Sequence, residues 1–217
     1  MYLPPAFTMP SPETQGVVCT FAGLAHVVVA AADGFESSPL PMLWEESTDI
    51  GPDEFGPDIG HLGWLVGHVA KPNPIVRLVG DRTVPALVIL PGTDAYVSPN
   101  YYPSKRVEPR VVPTWNYDMV HVHGRLRLVD DPEWLLALVT RLTNVHEAER
   151  AEPWAVADAP NDFIEAMLRG IVGVEVRIER VEGKGKWSQN RRAEDQAGVA
   201  AGLRAEGRDT AAARVDG

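Results

Sequence analysis

Four segments carry more polar and aromatic side chains than packing requires. They are Gly67-His68-Val69-Ala70-Lys71-Pro72-Asn73-Pro74, the run from Tyr96 to Lys105, the run Val112-Pro113-Thr114-Trp115-Asn116-Tyr117, and the run from Gly183 to Arg191. Together they suit a planar aromatic ligand that bears a phosphate. A phosphate dianion requires positive charge and several hydrogen-bond donors, and Ser98, Ser104, Lys105 and Lys186 offer both. A planar ring with a polar edge requires flat apolar contacts and a few amide-like partners. Trp115, Trp187, Asn116, Gln189 and Asn190 are groups of that kind. The same residues have plainer roles open to them. A lysine in a glycine-rich stretch is ordinarily just solvated, and a tryptophan on a strand ordinarily belongs to a core.

The histidines are equally divided. His68 suits either a ligand contact or proton donor, or a satisfied structural histidine. His121 and His123 lie two apart on an expected strand and so share a face. Two ligands do not make a metal site, and no third stands out, so no metal is expected. Glu147, beside His146, reads as a surface capping or ion-pairing group. No acid, base or nicotinamide-binding motif identifies a catalytic residue.

Composition narrows the partners. The 217 residues hold 20 basic and 30 acidic side chains, for a formal net charge of −10. Nucleic-acid binding draws much of its affinity from phosphate neutralisation, so any DNA-binding face would have to be local. The same acidity gives no reason to expect an anionic membrane as partner. The single cysteine, Cys19, allows neither an internal disulfide nor a cysteine-based metal site, which suits a reducing cytoplasm. The first residues lack the basic start and long apolar run of a signal peptide, and the longest apolar stretch, near Val27 to Ala32, is too short to span a bilayer. These features predict a cytoplasmic protein.

The elements that must position the four segments follow from periodicity and punctuation. Residues 24–32 and 40–45 predict a hairpin turning at Asp33-Gly34. Ser47 to Gly60 reads as a loop, and Leu62 to Val69 as a strand ended by Pro72 and Pro74, which exclude regular structure there. Val84 to Leu90 is a near-continuous apolar run, a candidate buried strand. Ser98 to Pro113 is a long loop of the kind that often carries function. Thr114 to Val129 alternates as a long strand. Asp131 and Pro132 then start a helix as N-cap and first residue, with a second helix over residues 161–169. Ile171 to Val181 alternates as a strand, and the chain is expected to turn at Gly183-Lys184-Gly185-Lys186. A last helix is expected from about Asn190 to Leu203, and residues 206–217 read as a disordered tail. A short helix over residues 13–22 precedes all of these. Five or six mostly antiparallel strands with gathered helices predict an α+β, mainly β domain or a small barrel over residues 1–205.

The chain resembles the PaiB family of FMN-binding proteins, known as negative transcriptional regulators. The likeness covers about residues 1–205. It rests on Met1-Tyr2-Leu3-Pro4-Pro5-Ala6-Phe7, on Gly67 to Pro74, and on Tyr96-Val97-Ser98-Pro99-Asn100-Tyr101-Tyr102 followed by Lys105. Val112 to Tyr117 with His121, His123 and Gly124 continues it, and Ile171-Val172-Gly173 and Lys186-Trp187-Ser188-Gln189-Asn190 complete it. Two motifs depart from the pattern. Pro39-Leu40-Pro41-Met42 stands where relatives have His-Leu-Pro-Leu, and Gly92-Thr93-Asp94 where they have Gly-Pro-His.

The resemblance implies an FMN-binding split β-barrel with flanking helices, related to pyridoxamine-phosphate oxidases. It also implies a homodimer with FMN at the subunit interface. The cofactor contacts implied by motif position are His68, Lys71, Asn73, Tyr96, Ser98, Lys105, Thr114, Trp115, Asn116, Lys186, Ser188, Gln189 and Asn190. The implied role is transcriptional regulation, and the absence of a helix-turn-helix or basic stripe makes an indirect effect the expectation, without direct DNA binding. A flavin-dependent oxidoreductase acting on a small-molecule ligand is the alternative, and an FMN-binding accessory protein with neither activity is a third.

Overall fold

The computed structural model describes residues 1–46 and 62–217, so the expected loop from Ser47 to Gly60 lies outside the described residues. The chain divides into two compact units. One holds Gln15–Leu90 and His121–Val181, and will be called the barrel unit. The other holds Met1–Thr14, Pro91–Val120 and Glu182–Gly217, and will be called the distal unit.

Six strands form the sheet: β1 (Ala22–Ala31), β2 (Gly34–Glu45), β3 (Trp64–Ala70), β4 (Val84–Val97), β5 (Thr114–Val129) and β6 (Ile171–Lys186). Their order is β1-β2-β3-β6-β5-β4, and they close on themselves. Closure lies in the barrel unit, where β1 pairs antiparallel with β4 from His26↔Ile89 to Val29↔Ala86. The β1–β2 hairpin is tight, with Ala31 opposite Gly34. Gly34 takes φ 147°, a backbone angle that side-chain-bearing residues avoid.

Alternation decides which faces are buried. Along β1, Ala25, Val27 and Val29 are buried between more exposed neighbours, whereas β6, expected to be half-buried, is buried on both faces from Val172 to Val176. The run from Val84 to Leu90 also alternates, with Ala86, Val88 and Leu90 buried between half-exposed neighbours. It is therefore a one-sided strand of the barrel wall, not a strand buried on both faces as its composition suggested.

Helix α3 (Pro132–Glu147) starts as its sequence predicts. Asp131 accepts from the backbone N–H groups of Glu133 and Trp134 at 2.8 and 2.9 Å. Its Leu138 and Leu142 pack against Leu43, Trp64 and Val66 of β2 and β3. α4 (Asn161–Leu168) follows, and α1 (Ser11–Cys19) precedes the first strand.

Three expectations are corrected. The chain after β3 is not irregular: α2 (Pro74–Val79) begins at the second proline, with Asn73 as a cap that accepts from the Ile75 N–H. A proline lacks an N–H that the first helical turn would leave unpaired anyway. The glycines at 183 and 185 do not form a turn, because β6 runs through them to Lys186. Residues 206–217 are not a disordered tail. α5 (Ala193–Ala205) is followed by α6 (Asp209–Asp216), whose Ala211, Ala212 and Val215 are buried. Those side chains join Val97, Tyr102, Trp187, Val199 and Leu203 in the core of the distal unit.

Candidate functional site

The distal unit contains ten of the thirteen residues implied as cofactor contacts. Thr114, Trp115 and Asn116 open β5, Tyr96 lies near the end of β4, and Lys186 ends β6. Lys186 Nζ donates to Thr114 Oγ1 and, at 2.8 Å, to the Trp115 carbonyl. Both acceptors are neutral. Among the described residues no carboxylate pairs with Lys186, and burial holds its ammonium below the ordinary lysine value. A half-buried cation that lacks an anionic partner, with a third N–H donor left over, favours an incoming anion or polar ring edge.

Lys105, which is exposed, likewise bonds to a neutral acceptor. It stands on a 3-10 turn (Pro103–Arg106) and donates to Asn100 Oδ1 at 2.6 Å. Ser98 accepts from the Asn100 N–H at 3.2 Å, so one asparagine ties Ser98 and Lys105 into a single corner. Ser104 is not part of it. Its N–H and hydroxyl both donate to the buried Asp195 carboxylate at the start of α5, at 3.1 and 2.8 Å. A group bonded to a carboxylate in this way is a poor phosphate ligand, which corrects its assignment from sequence.

The aromatic groups divide as well. Trp115 is 55% exposed and Tyr96 47%, and their rings meet edge to face with centroids 5.9 Å apart. Such a pair in water offers a flat apolar corner. Trp187 is buried, donating its indole N–H to Asp118 at 2.6 Å, so it offers no open ring face.

The amide-bearing residues form the turn beyond β6. Asn116 is fully buried and donates to Ser188 Oγ at 3.0 Å. Ser188 holds φ 64°, a left-handed conformation that few side-chain-bearing residues adopt. Gln189 folds back, accepting from the Trp187 N–H and donating to the Gly185 carbonyl, both at 2.6 Å. Asn190 is exposed at the tip.

The barrel unit holds the other three. Lys71 forms an ion pair with Asp130 at 2.8 Å, so its charge is matched. Asn73 caps α2 and donates to Ser38 at 2.9 Å. His68, on β3, lines a cavity of about 330 Å³ with Pro41, Val139, Leu142, His146 and Trp154. Its Nδ1 is buried with no hydrogen-bond partner among the described residues, and burial lowers its pKa, which favours the neutral imidazole. His121 and His123 do share a face, with rings 6.4 Å apart.

Sequence reasoning missed Asp118, Glu13, Asp195 and Arg214, all in the distal unit. Each is an ordinary charged residue outside the motifs, or in the stretch read as a tail, and only the fold brings it near the motif residues.

The donor set fits a phosphorylated aromatic cofactor: two lysines matched only by neutral acceptors, a serine, an exposed aromatic corner and an amide-rich turn. Residues 1–180 match the family model described as "Putative FMN-binding domain". An uncharacterized protein of Aspergillus fumigatus is 32% identical, with 77% of this chain and 76% of that protein covered. The Bacillus subtilis protease synthase and sporulation protein PAI 2 is 31% identical, with 63% and 62% covered. Among solved structures, the FAD and heme binding protein of Mycobacterium smegmatis superposes with a TM-score of 0.51 at 15% identity, covering 82% of this chain and 71% of that one. A conserved protein of Mycobacterium tuberculosis, Rv2991, gives 0.51 at 13% identity, covering 85% and 90%. At such identities these two likenesses speak for the fold alone, a six-stranded split barrel with flanking helices. The chain belongs to the FMN-binding-domain family, as a split-barrel flavoprotein of the PaiB type.

Proposed function

We propose that the distal unit holds FMN reversibly and non-covalently, one per subunit. The observation that carries this reading is the pair of lysines, Lys105 and Lys186, whose bonds go to neutral acceptors. Lys105 and Ser98 would take the phosphate. Trp115 and Tyr96 would cover one face of the ring, and Lys186 and Asn190 would meet its polar edge. Thr114, Asn116, Ser188 and Gln189 would shape the site through the bonds they make to its other members. His68, Lys71 and Asn73 have no supporting contact of this kind, and their implied cofactor role rests on motif position. The bound flavin would supply redox chemistry that no protein side chain has, and these residues would fix its position.

We further propose a homodimer with FMN at its interface, since the exposed Tyr96–Trp115 corner is apolar surface of the sort that partners cover. The resemblance to the PaiB family, known as negative transcriptional regulators, motivates a regulatory reading here, and the net charge of −10 supports an effect exerted through a small molecule or a protein. One observation favours a second reading, a flavin-dependent oxidoreductase: the neutral His68 beside its cavity is a suitable hydrogen-bond partner for a small substrate.

The test is an FMN fluorescence titration of wild type, Lys105→Ala and Lys186→Ala. Wild type is expected to quench FMN at near-equimolar protein. Each variant is expected to bind roughly ten-fold or more weakly, the equivalent of about 1.5–3 kcal/mol for a charge-assisted contact. Wild-type affinity in both variants would contradict the assignment.

A further inference from the structure

The segment that follows the family match, residues 181–217, ends in α6, and one side chain of that helix reaches the turn beyond β6. Arg214 makes a two-pronged contact with Asp118, Nε to Oδ2 at 2.8 Å and Nη2 to Oδ1 at 2.9 Å. Nη2 also donates to Glu13 at 3.2 Å. The guanidinium lies 5.8 Å from the centroid of the Trp187 ring. Asp118 in turn accepts the Trp187 indole N–H, so Arg214 and Trp187 share one carboxylate. The fork holds the guanidinium pKa above its ordinary value. The cluster packs against Gly185 of β6, where a Cβ would sit 3.1 Å from Asp118 Oδ1.

Trp187 is the residue between Lys186 and Ser188. Fixing its ring and its indole N–H fixes the chain on both sides: the lysine that meets Thr114 and Trp115, and the left-handed Ser188 that bonds Asn116. α6 is itself tied down, by an Arg204–Asp216 ion pair to α5 and by buried Ala211, Ala212 and Val215. A bidentate Arg–carboxylate contact over an aromatic ring is directional in a way that a lysine contact is not.

We infer that Arg214 is a positioning residue for the flavin site, through which docking of the C-terminal helix sets the Lys186–Asn190 segment for FMN. The inference rests on the FMN reading above. It makes cofactor affinity depend on a helix outside the residues that match the family. Coupling of this kind is reciprocal: FMN must stabilise the docked helix by the same factor by which undocking weakens FMN.

Two measurements test it. The first is FMN affinity in wild type, Arg214→Ala and Arg214→Lys, with melting of each apoprotein followed in parallel. Arg214→Ala is expected to weaken FMN by about five-fold or more while the apoprotein still melts in one transition, with Arg214→Lys intermediate. Combined with Asp118→Asn the losses are expected to be non-additive, and combined with Lys105→Ala to be additive. The second uses wild type alone: amide exchange of residues 209–216 with and without saturating FMN, where protection is expected to rise. If wild type itself fails to bind FMN, the reading of the site falls. If wild type binds and either Arg214→Ala keeps wild-type affinity or α6 exchange ignores FMN, the positioning role falls and the site stands.

Discussion

Ser188 is the non-glycine residue with positive φ among those described, and its hydroxyl is paired with the buried Asn116 amide. Strain held by a buried bond marks a place where conformation is imposed for a purpose. Both residues stand out in the sequence as candidate site members, but their mutual bond does not, because a motif shows which side chains recur and not which way they face. Asn116, Ser188 and Gln189 face one another and the chain, while Trp115, Lys105 and Asn190 face water. Trp187 and Ser104 were misplaced for the same reason, since their partners Asp118 and Asp195 lie far away in sequence. His68 gives a prediction with a definite sign. Burial puts its folded pKa below the ordinary histidine value of 6.5, so the unfolded chain takes up the proton first as pH falls. Stability from this residue is therefore present above about pH 6.5 and lost on acidification. Urea midpoints at pH 7.5 and 5.5 are expected to fall further for wild type than for His68→Gln, and equal falls would contradict the burial argument.

At the scale of elements, strong periodicity read well and short or glycine-containing pieces did not. β5 matches its expected bounds, since sixteen alternating residues leave little freedom, and α3 begins at the Asp131-Pro132 signal. α2 went unseen because two prolines suggest disruption, although Asn73 and Pro74 together begin a helix. β6 extends past its expected end because Gly183 serves packing: a Cβ there would lie 2.3 Å from Thr14 Oγ1. α6 has an apolar face of two alanines and a valine, too slight to register as a periodic signal. Close packing also explains glycine within α5. A Cβ on Gly198 would meet the Tyr101 carbonyl oxygen at 2.1 Å, a backbone atom that cannot rotate away. Gly198→Ala is therefore expected to destabilise the protein by about 1–3 kcal/mol, against the usual gain from alanine in a helix. A chemical denaturation midpoint at or above wild type would refute that packing.

At the scale of the whole chain, charge is divided unevenly. By sequence the distal unit carries ten basic and ten acidic side chains, which leaves ten basic and twenty acidic for the barrel unit and hence the whole net charge of −10. A neutral unit does not repel an anionic cofactor, yet it lacks the positive surplus that holds DNA phosphates. No helix among the described residues is long and apolar enough to cross a membrane. Fluorescence anisotropy with the protein's own upstream DNA is expected to show binding only below about 50 mM salt and without sequence preference. Submicromolar, sequence-dependent binding near 150 mM salt would restore a direct repressor. The measurement closest to the central claim is the FMN content and mass of the loaded protein, from flavin absorbance above the buffer level and light scattering during gel filtration in buffer that contains FMN. The account predicts about one FMN per 23.7 kDa chain and twice that mass in solution. A chain that stays free of flavin with tens of micromolar FMN in the column buffer, or that binds it as a monomer, would contradict it.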